Sequence, residues 1–176
     1  MRCAKVYKEA NKRSFKQAVQ YQEGRTGRSS RRARAMEKRS HFGQKESEKA
    51  WLSAEVDALY QLAAAGVRVP EHHGLGDGVL LMELITDSEG HAAPRLSEVE
   101  FDREQALDYH ERMIADIVRM LCAGLVHGDF TEFNVLVDAN GPVIIDLPQV
   151  VNAAGTNRVA LQLERDVTNM RAYFCR

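Results

Sequence analysis

The sequence contains few cysteines and has no long apolar run, and each absence argues against particular classes of protein. Its 176 residues include only three cysteines, Cys3, Cys122 and Cys175, without a CxxC pair. This argues against a disulfide framework and a cysteine-rich zinc site. No apolar run approaches the length of a membrane span, and the first residues lack the apolar stretch of a signal peptide. We expect a soluble, cytoplasmic protein, with 44% hydrophobic and 28% charged residues.

Charge is unevenly distributed along the chain. The net charge is −1, yet residues 1–50 hold 15 Lys or Arg against 5 Asp or Glu, and the remainder holds 9 against 20. Seven of these basic residues lie within 25–39. The segment 24–49 is predicted to be a mobile insertion, which either contacts an anionic partner such as rRNA or is a solvated basic face. No aromatic residue stands among its arginines, so base stacking is not supported.

The hydrophobic pattern predicts a mixture of strands and helices. Strands are predicted at 4–8 and 79–85, a helix from about Ser47 to Gly66, and a β-hairpin around Asn140-Gly141 that joins 135–137 to 143–145. Two further helices are predicted from apolar residues at helical spacing. The first has Leu107, Ile114, Val118 and Leu121 on its apolar face and ends near Gly124; the second has Leu163, Val167, Met170 and Phe174.

Three polar residues near this hairpin form the pattern with the clearest chemical meaning. Asp129 and Asn134 lie five residues apart in one loop, and Asp146 follows the second strand of the hairpin. Phosphoryl transfer from ATP needs a carboxylate that accepts the proton of the attacking hydroxyl, and oxygen ligands for Mg²⁺. Because the hairpin folds Asp146 back beside Asn134, we expect a metal site between them, close to Asp129.

The stretch His127-Gly128-Asp129 to Asn134, followed by Asp146, resembles the catalytic and metal-binding loops of protein kinases. It departs from them at Gly128, where those kinases have Arg, and at Leu147-Pro148, where they have Phe-Gly. The loop also resembles that of aminoglycoside-type phosphotransferases. The wider pattern resembles that of the RIO kinases, and most closely that of their bacterial Rio1-like members. The segments of this chain that match the pattern are residues 4–8, 51–55, 79–85, 125–134 and 144–149. The last of them has the sequence Ile-Ile-Asp-Leu-Pro-Gln.

The resemblance implies a role for each matching residue. Lys5 is similar to the strand lysine that reaches the α- and β-phosphates of ATP, and Glu55 to its helical partner. Asp129 resembles the catalytic aspartate, while Asn134 and Asp146 resemble the ligands of Mg²⁺, or of Mn²⁺ in its place. Asp146 is also implied as an aspartyl-phosphate acceptor. The adenine-binding stretch would include Met82 at the gatekeeper-like place, with Glu83 and Ile85 on the hinge.

The resemblance also implies a fold and an activity. We expect a two-lobed α+β kinase fold, with residues 1–82 as a partial N-lobe and 83–176 as the C-lobe. The expected reaction transfers the γ-phosphate of ATP to a serine of another protein or of the enzyme itself. Two alternatives are a nucleotide-dependent ATPase switch in ribosome assembly and an aminoglycoside-type small-molecule kinase.

One component of the family pattern has no match here. RIO kinases carry a glycine-containing nucleotide loop before the lysine strand, whereas four residues precede Lys5. We therefore expect an incomplete N-lobe, and weak ATP binding and low activity for residues 1–176 alone.

Overall fold

A three-stranded antiparallel sheet forms the N-terminal part of the protein. The computed structural model describes residues 1–7, 41–147, 149–154 and 157–175, with the backbone alone for 41–52 and 157. The sheet has the order β1-β3-β2, where β1 is Arg2–Val6, β2 is His72–Gly76 and β3 is Val79–Glu83. Exposure alternates along β1, so Cys3 and Lys5 share its partly buried face. The predicted mobile segment, apart from 41–49, lies outside the described residues.

A long helix, α1, follows and spans His41–Ala64. It begins six residues before the predicted start at Ser47, and therefore includes part of the segment expected to be an insertion. It ends where predicted, because Gly66 has a φ of +79°, a conformation that glycine adopts without steric cost. Its buried face carries Ala58, Leu59 and Leu62 together with one carboxylate, that of Glu55. Helix α1 thus brings a charged group into the interior behind β1.

The remaining elements form a second, mainly helical part. In chain order they are α2 (Arg103–Cys122), β4 (Leu125–Val126), β5 (Val135–Asp138), β6 (Gly141–Ile144), β7 (Val151–Asn152) and α3 (Asn157–Phe174), with 3₁₀ turns at Leu96–Glu98 and Glu132–Asn134. Strand β4 pairs with β7, and β5 pairs with β6, both antiparallel. The presence of both helices and antiparallel strands in the protein agrees with the predicted α+β class. No helix within the described ranges is both long and apolar enough to cross a membrane.

The β5–β6 hairpin is tighter than predicted. Both strands extend further, so Asp138 pairs with Gly141 and only Ala139 and Asn140 remain in the loop. The Arg68 guanidinium holds this end of the hairpin: it donates to the Asp138 carboxylate, at 2.6 Å for the nearer contact, and to the carbonyl of Gly141 at 3.0 Å. The hairpin therefore has a fixed geometry, which fixes the positions of the residues that flank it.

Helix α2 ends near Gly124 as predicted, but of the four residues predicted on its apolar face only Ile114 packs against the core. Leu107, Val118 and Leu121 are exposed, with Leu107 at 60%, whereas Met113, Ile117 and Met120 lie in the core. Two apolar stripes run along this helix, and packing against α3 and β4 selects the one with the methionines. In α3, Met170 is buried as expected, whereas Val167 is exposed.

Candidate functional site

Lys5 joins three parts of the chain that are far apart in sequence. Its Nζ lies 2.8 Å from Oε1 of Glu55 on α1 and 2.5 Å from Oδ1 of Asp146, which follows β6. These contacts span 50 and 141 residues. The structure thus brings together the strand lysine, the helix glutamate and the aspartate that the sequence resemblance singles out.

The surroundings of Glu55 hold its side chain in one orientation. Its side chain is only 3% exposed, and its second oxygen, Oε2, accepts a hydrogen bond from the Tyr7 hydroxyl. Burial alone would lower the pKa of Lys5, but the carboxylates of Glu55 and Asp146 outweigh this effect and raise the pKa above its ordinary value. Lys5 is therefore a permanent cation at neutral pH, held between two carboxylates.

The loop that contains Asp129 is closed by hydrogen bonds onto the hairpin. Nδ2 of Asn134 donates to the backbone carbonyl of Asp129 at 2.8 Å, and the Ile145 N–H donates to the carbonyl of Asn134 at 2.9 Å. The second bond continues the β5–β6 ladder by one rung, so Asp146 lies one residue beyond the partner of Asn134. Asp129, Asn134 and Asp146 are in this way tied to one end of one hairpin.

The side chains at this end have the chemistry that a hard divalent cation prefers. The amide nitrogen of Asn134 donates to the Asp129 carbonyl, so the amide oxygen remains able to bind a ligand. Asp146 has a φ of +61°, unusual for a residue other than glycine, and its side chain is 45% exposed. No three His, Cys, Asp or Glu side chains converge as a metal-binding group in the described part of the chain. One amide and one carboxylate oxygen suit Mg²⁺, which keeps several waters.

His127 is a buried support of the same loop. Its Nε2 lies 3.3 Å from the Ile145 carbonyl, and its Nδ1 accepts the N–H of Asp129 at 3.3 Å. Together these bonds require the neutral ring with its proton on Nε2. Burial lowers the pKa of His127, and this effect outweighs nearby carboxylates, of which Asp166 is the most influential. His127 therefore acts as a neutral spacer between the loop and the hairpin.

Asp166 on α3 is a site residue that the sequence reasoning missed. Its carboxylate is buried and accepts the N–H groups of Gly128 at 2.8 Å and of Phe130 at 2.9 Å. Asn169, one turn further, donates to the Phe130 carbonyl at 3.1 Å. The sequence did contain a signal, because Asp166 stands at helical spacing between Leu163 and Met170 on an otherwise apolar face. A carboxylate in that position indicates a buried polar contact.

The expected adenine-binding residues lie along β3 and just after it. Met82 pairs with Cys3 on β1, two rungs from the pair Lys5 and Leu80. The N–H of Glu83 donates to the Glu71 carbonyl at 2.8 Å, and the Ile85 carbonyl accepts from Ala93 at 3.0 Å. Within the described ranges, no hydrogen bond or ion pair joins the side chains of Met82, Glu83 or Ile85 to Lys5 or Asp129. Their role in binding adenine stays a prediction.

Comparison of the sequence with known proteins shows which family the chain belongs to. A family model described as the RIO domain matches residues 2–176. A RIO-type serine/threonine-protein kinase Rio1 of Haloferax volcanii is 36% identical over 128 residues, which are 73% of this chain and 43% of the relative. Human serine/threonine-protein kinase RIO1 is 32% identical over 129 residues, 73% of this chain and 22% of that protein.

Other relatives carry similar names. A RIO-type kinase Rio2 of Methanocaldococcus jannaschii is 34% identical over 110 residues, 61% of this chain and 39% of the relative. The chain therefore spans less than half the length of each of these relatives. The resemblance to bacterial members stays a prediction.

Proposed function

The chain belongs to the RIO kinase family, and we propose on this premise that it transfers the γ-phosphoryl group of ATP to a serine hydroxyl of a protein. Its mixed helices and small sheets are consistent with a protein-kinase-like fold. Serine as the acceptor, in another protein or in the enzyme itself, is proposed from the family resemblance, and the relatives are named serine/threonine-protein kinases. The division into a partial N-lobe, 1–82, and a C-lobe, 83–176, belongs to the same proposal.

The observation that carries the proposal is the position of Lys5 between Glu55 and Asp146. Pairing a lysine with a buried carboxylate is costly, because desolvation of the charges can exceed the attraction between them, so the pair of Lys5 and the 3% exposed Glu55 suggests a functional task. Here the same cation links the sheet, helix α1 and the loop after the hairpin. Such a cation is suited to hold the phosphates of a nucleotide between the two parts of the protein.

Each of the other residues has a matching task in this reaction. Glu55, held by Tyr7, would keep Lys5 aimed at the α- and β-phosphates. Asp129 would accept the proton of the serine hydroxyl as it attacks, and the bonds of its loop to His127 and Asp166 would keep its backbone in place. Met82, Glu83 and Ile85 would line the adenine end of the cleft. The Ile85 N–H supports this, because no carbonyl in the described residues accepts it.

Asn134 and Asp146 would hold the divalent cation, Mg²⁺ or Mn²⁺, through one amide oxygen and one carboxylate oxygen. When bound, the ion would supply positive charge against the phosphate oxygens. Asp146 currently shares one oxygen with Lys5. Because the Asp146 side chain is 45% exposed, the same carboxylate can contact the lysine on one side and an ion on the other.

The experiment is a transfer assay with γ-labelled ATP on the full-length protein, with Asp129→Asn as the test variant. We expect ATP binding to be kept and phosphoryl transfer to fall about 10²–10⁴-fold, the usual range for loss of a general base. The matched control is Asp57→Asn, which makes the same chemical change at an exposed position of α1. Transfer by Asp129→Asn at the rate of the control would falsify the assignment.

The same assay separates the alternative functions. A nucleotide-dependent switch in ribosome assembly would release phosphate to water and leave protein unlabelled. Contact of segment 25–39 with ribosomal particles, and a cytoplasmic location, are proposed from the resemblance; the segment lies outside the described residues. An aminoglycoside-type kinase would label a small molecule, and the match of nearly the whole chain to the RIO model argues against it.

A further inference from the structure

Gln149 contacts the proposed catalytic carboxylate directly. Its Nε2 donates to Oδ2 of Asp129 at 3.1 Å, across 20 residues of sequence. Gln149 is the last residue of the Ile-Ile-Asp-Leu-Pro-Gln block, whose other polar member, Asp146, already has a proposed task. The glutamine side chain thus connects the segment of the metal-binding aspartate to the catalytic loop.

The backbone around Gln149 holds this side chain in place. The neighbouring Leu147 and Val150 are buried, and the Val150 N–H donates to the Leu147 carbonyl at 3.2 Å. Strand β7 follows at once and pairs with β4, which immediately precedes the loop of Asp129. The carbonyl of Gln149 also lies 3.0 Å from the point where a Cβ on Gly128 would stand. The backbone of the Gln149 segment is therefore held against the loop that contains Asp129. This packing restricts the Gln149 side chain more than a side chain on a free surface would be restricted.

Arg165 is the other group beside the Asp129 carboxylate, and its contact is weaker. Its Nη2 lies 4.0 Å from Oδ1, and both side chains are more than 40% exposed, so water and salt screen this pair. The guanidinium donates instead to the Gly128 carbonyl. The second torsion of an aspartate side chain is broad and has little preference of its own. The hydrogen bond from Gln149 is thus the contact that selects the orientation of the carboxylate.

We propose that Gln149 is a positioning residue for Asp129: it holds Oδ2 and so presents Oδ1 to the acceptor hydroxyl. The inference rests on the proposed function, since it concerns the base of that reaction. A neutral amide donor suits the task, because it fixes one oxygen without placing a cation against the carboxylate that must accept a proton. The geometry of the base is then coupled to that of the Asp146 segment, three residues away.

The test is Gln149→Met in the full-length protein, which removes the donor and keeps the length of the side chain. We expect kcat to fall about 10-fold, as for a modest misplacement of a reacting group, with the KM for ATP and the melting temperature unchanged. The control is Gln61→Met at an exposed position of α1. Gln149→Glu, which places a like charge against Asp129, should reduce kcat further.

A double variant distinguishes positioning from a general structural effect. In Asp129→Asn the base is gone, so adding Gln149→Met should leave the residual single-turnover rate unchanged. An unchanged kcat for Gln149→Met in an active protein, or an equal loss in both backgrounds, overturns the proposal for Gln149 and leaves the proposed function standing.

A second measurement does not depend on activity. The side-chain amide resonance of Gln149, assigned by its loss in Gln149→Met, should shift in Asp129→Ala as its hydrogen-bond acceptor is removed. A resonance that does not move overturns the positioning role. If the wild-type protein transfers no phosphate, the proposed function fails, and this resonance still decides whether Gln149 holds Asp129.

Discussion

The ion pair between Lys5 and Glu55 gives the sharpest stability prediction, through the substitution Lys5→Met. Methionine fills the same space but removes the cation, so Glu55 keeps the Tyr7 hydroxyl and loses its charged partner in the described part of the chain. A carboxylate that is 3% exposed cannot recover this loss from water. The variant should therefore destabilise the fold through the group it leaves behind.

The magnitude follows from the two contacts of Lys5. Removing one partner of a buried ion pair costs about 3–5 kcal/mol, and the remaining bond to Tyr7 brings the expected loss to the lower end, about 3 kcal/mol. The pair with Asp146 adds little, since that side chain is 45% exposed and its pair is screened. For a chain of this length, 1 kcal/mol corresponds to about 2–4 °C in melting temperature, so we expect a decrease of about 6–12 °C.

A double substitution tests the cause. In Lys5→Met/Glu55→Gln no buried charge is left unpaired, because Asp146 is exposed, and we expect the double variant to recover about half of the free energy of unfolding lost in Lys5→Met. The measurement is equilibrium urea unfolding, with Arg2→Met as the control, since Arg2 lies on the exposed face of the same strand. The reasoning is refuted if Lys5→Met unfolds like the control, or if the double variant is less stable than Lys5→Met.

Three further predictions concern other groups of the site. Because burial lowers the pKa of His127, unfolding takes up a proton and the free energy of unfolding should fall as pH drops below about 6.5; an unchanged slope in His127→Phe contradicts this. Asp166→Ala leaves two buried N–H groups without their acceptor and should cost about 2–4 kcal/mol in urea unfolding, and a loss like that of exposed Asp57→Ala contradicts it. Burial raises the pKa of the Cys3 thiol, so maleimide should label it slowly near pH 7 in a Cys122→Ser/Cys175→Ser background. ATP should slow this labelling further, because Cys3 shares a strand face with Lys5; labelling unaffected by ATP counts against that placement.

The predictable part of the site was the part encoded locally. Asp129, Asn134 and Asp146 flank one hairpin, and a hairpin of short strands fixes its own ends, so their proximity to one another follows from the turn and the strand pattern. Lys5 and Glu55 are different, since nothing in a lone strand lysine or helix glutamate indicates a partner 50 residues away. Their pairing was expected from the order of the family pattern, and the structure brings them together.

The parts that the sequence left undetermined depend on long-range packing. Helix α2 has apolar residues on two stripes, and only contact with α3 and β4 selects Met113, Ile117 and Met120 over Leu107 and its neighbours. Strand β2, with the sequence His-His-Gly-Leu-Gly, has no strand pattern and forms because β3 provides a partner. The role of Asp166 likewise appears only when α3 packs behind the loop.

Gly128 has a consequence for how this loop can evolve. Its φ is +79°, and a Cβ there would lie 3.0 Å from the Gln149 carbonyl and 3.1 Å from Nε2 of Gln162. Any side chain at this position, including the arginine of the His-Arg-Asp loops, meets both a strained backbone and two neighbours. A change from glycine to arginine would therefore strain the backbone and require the Gln149 carbonyl and the Gln162 side chain to move by a few tenths of an ångström. We therefore expect the His-Gly-Asp and His-Arg-Asp loops to differ in backbone conformation at this position as well as in the side chain.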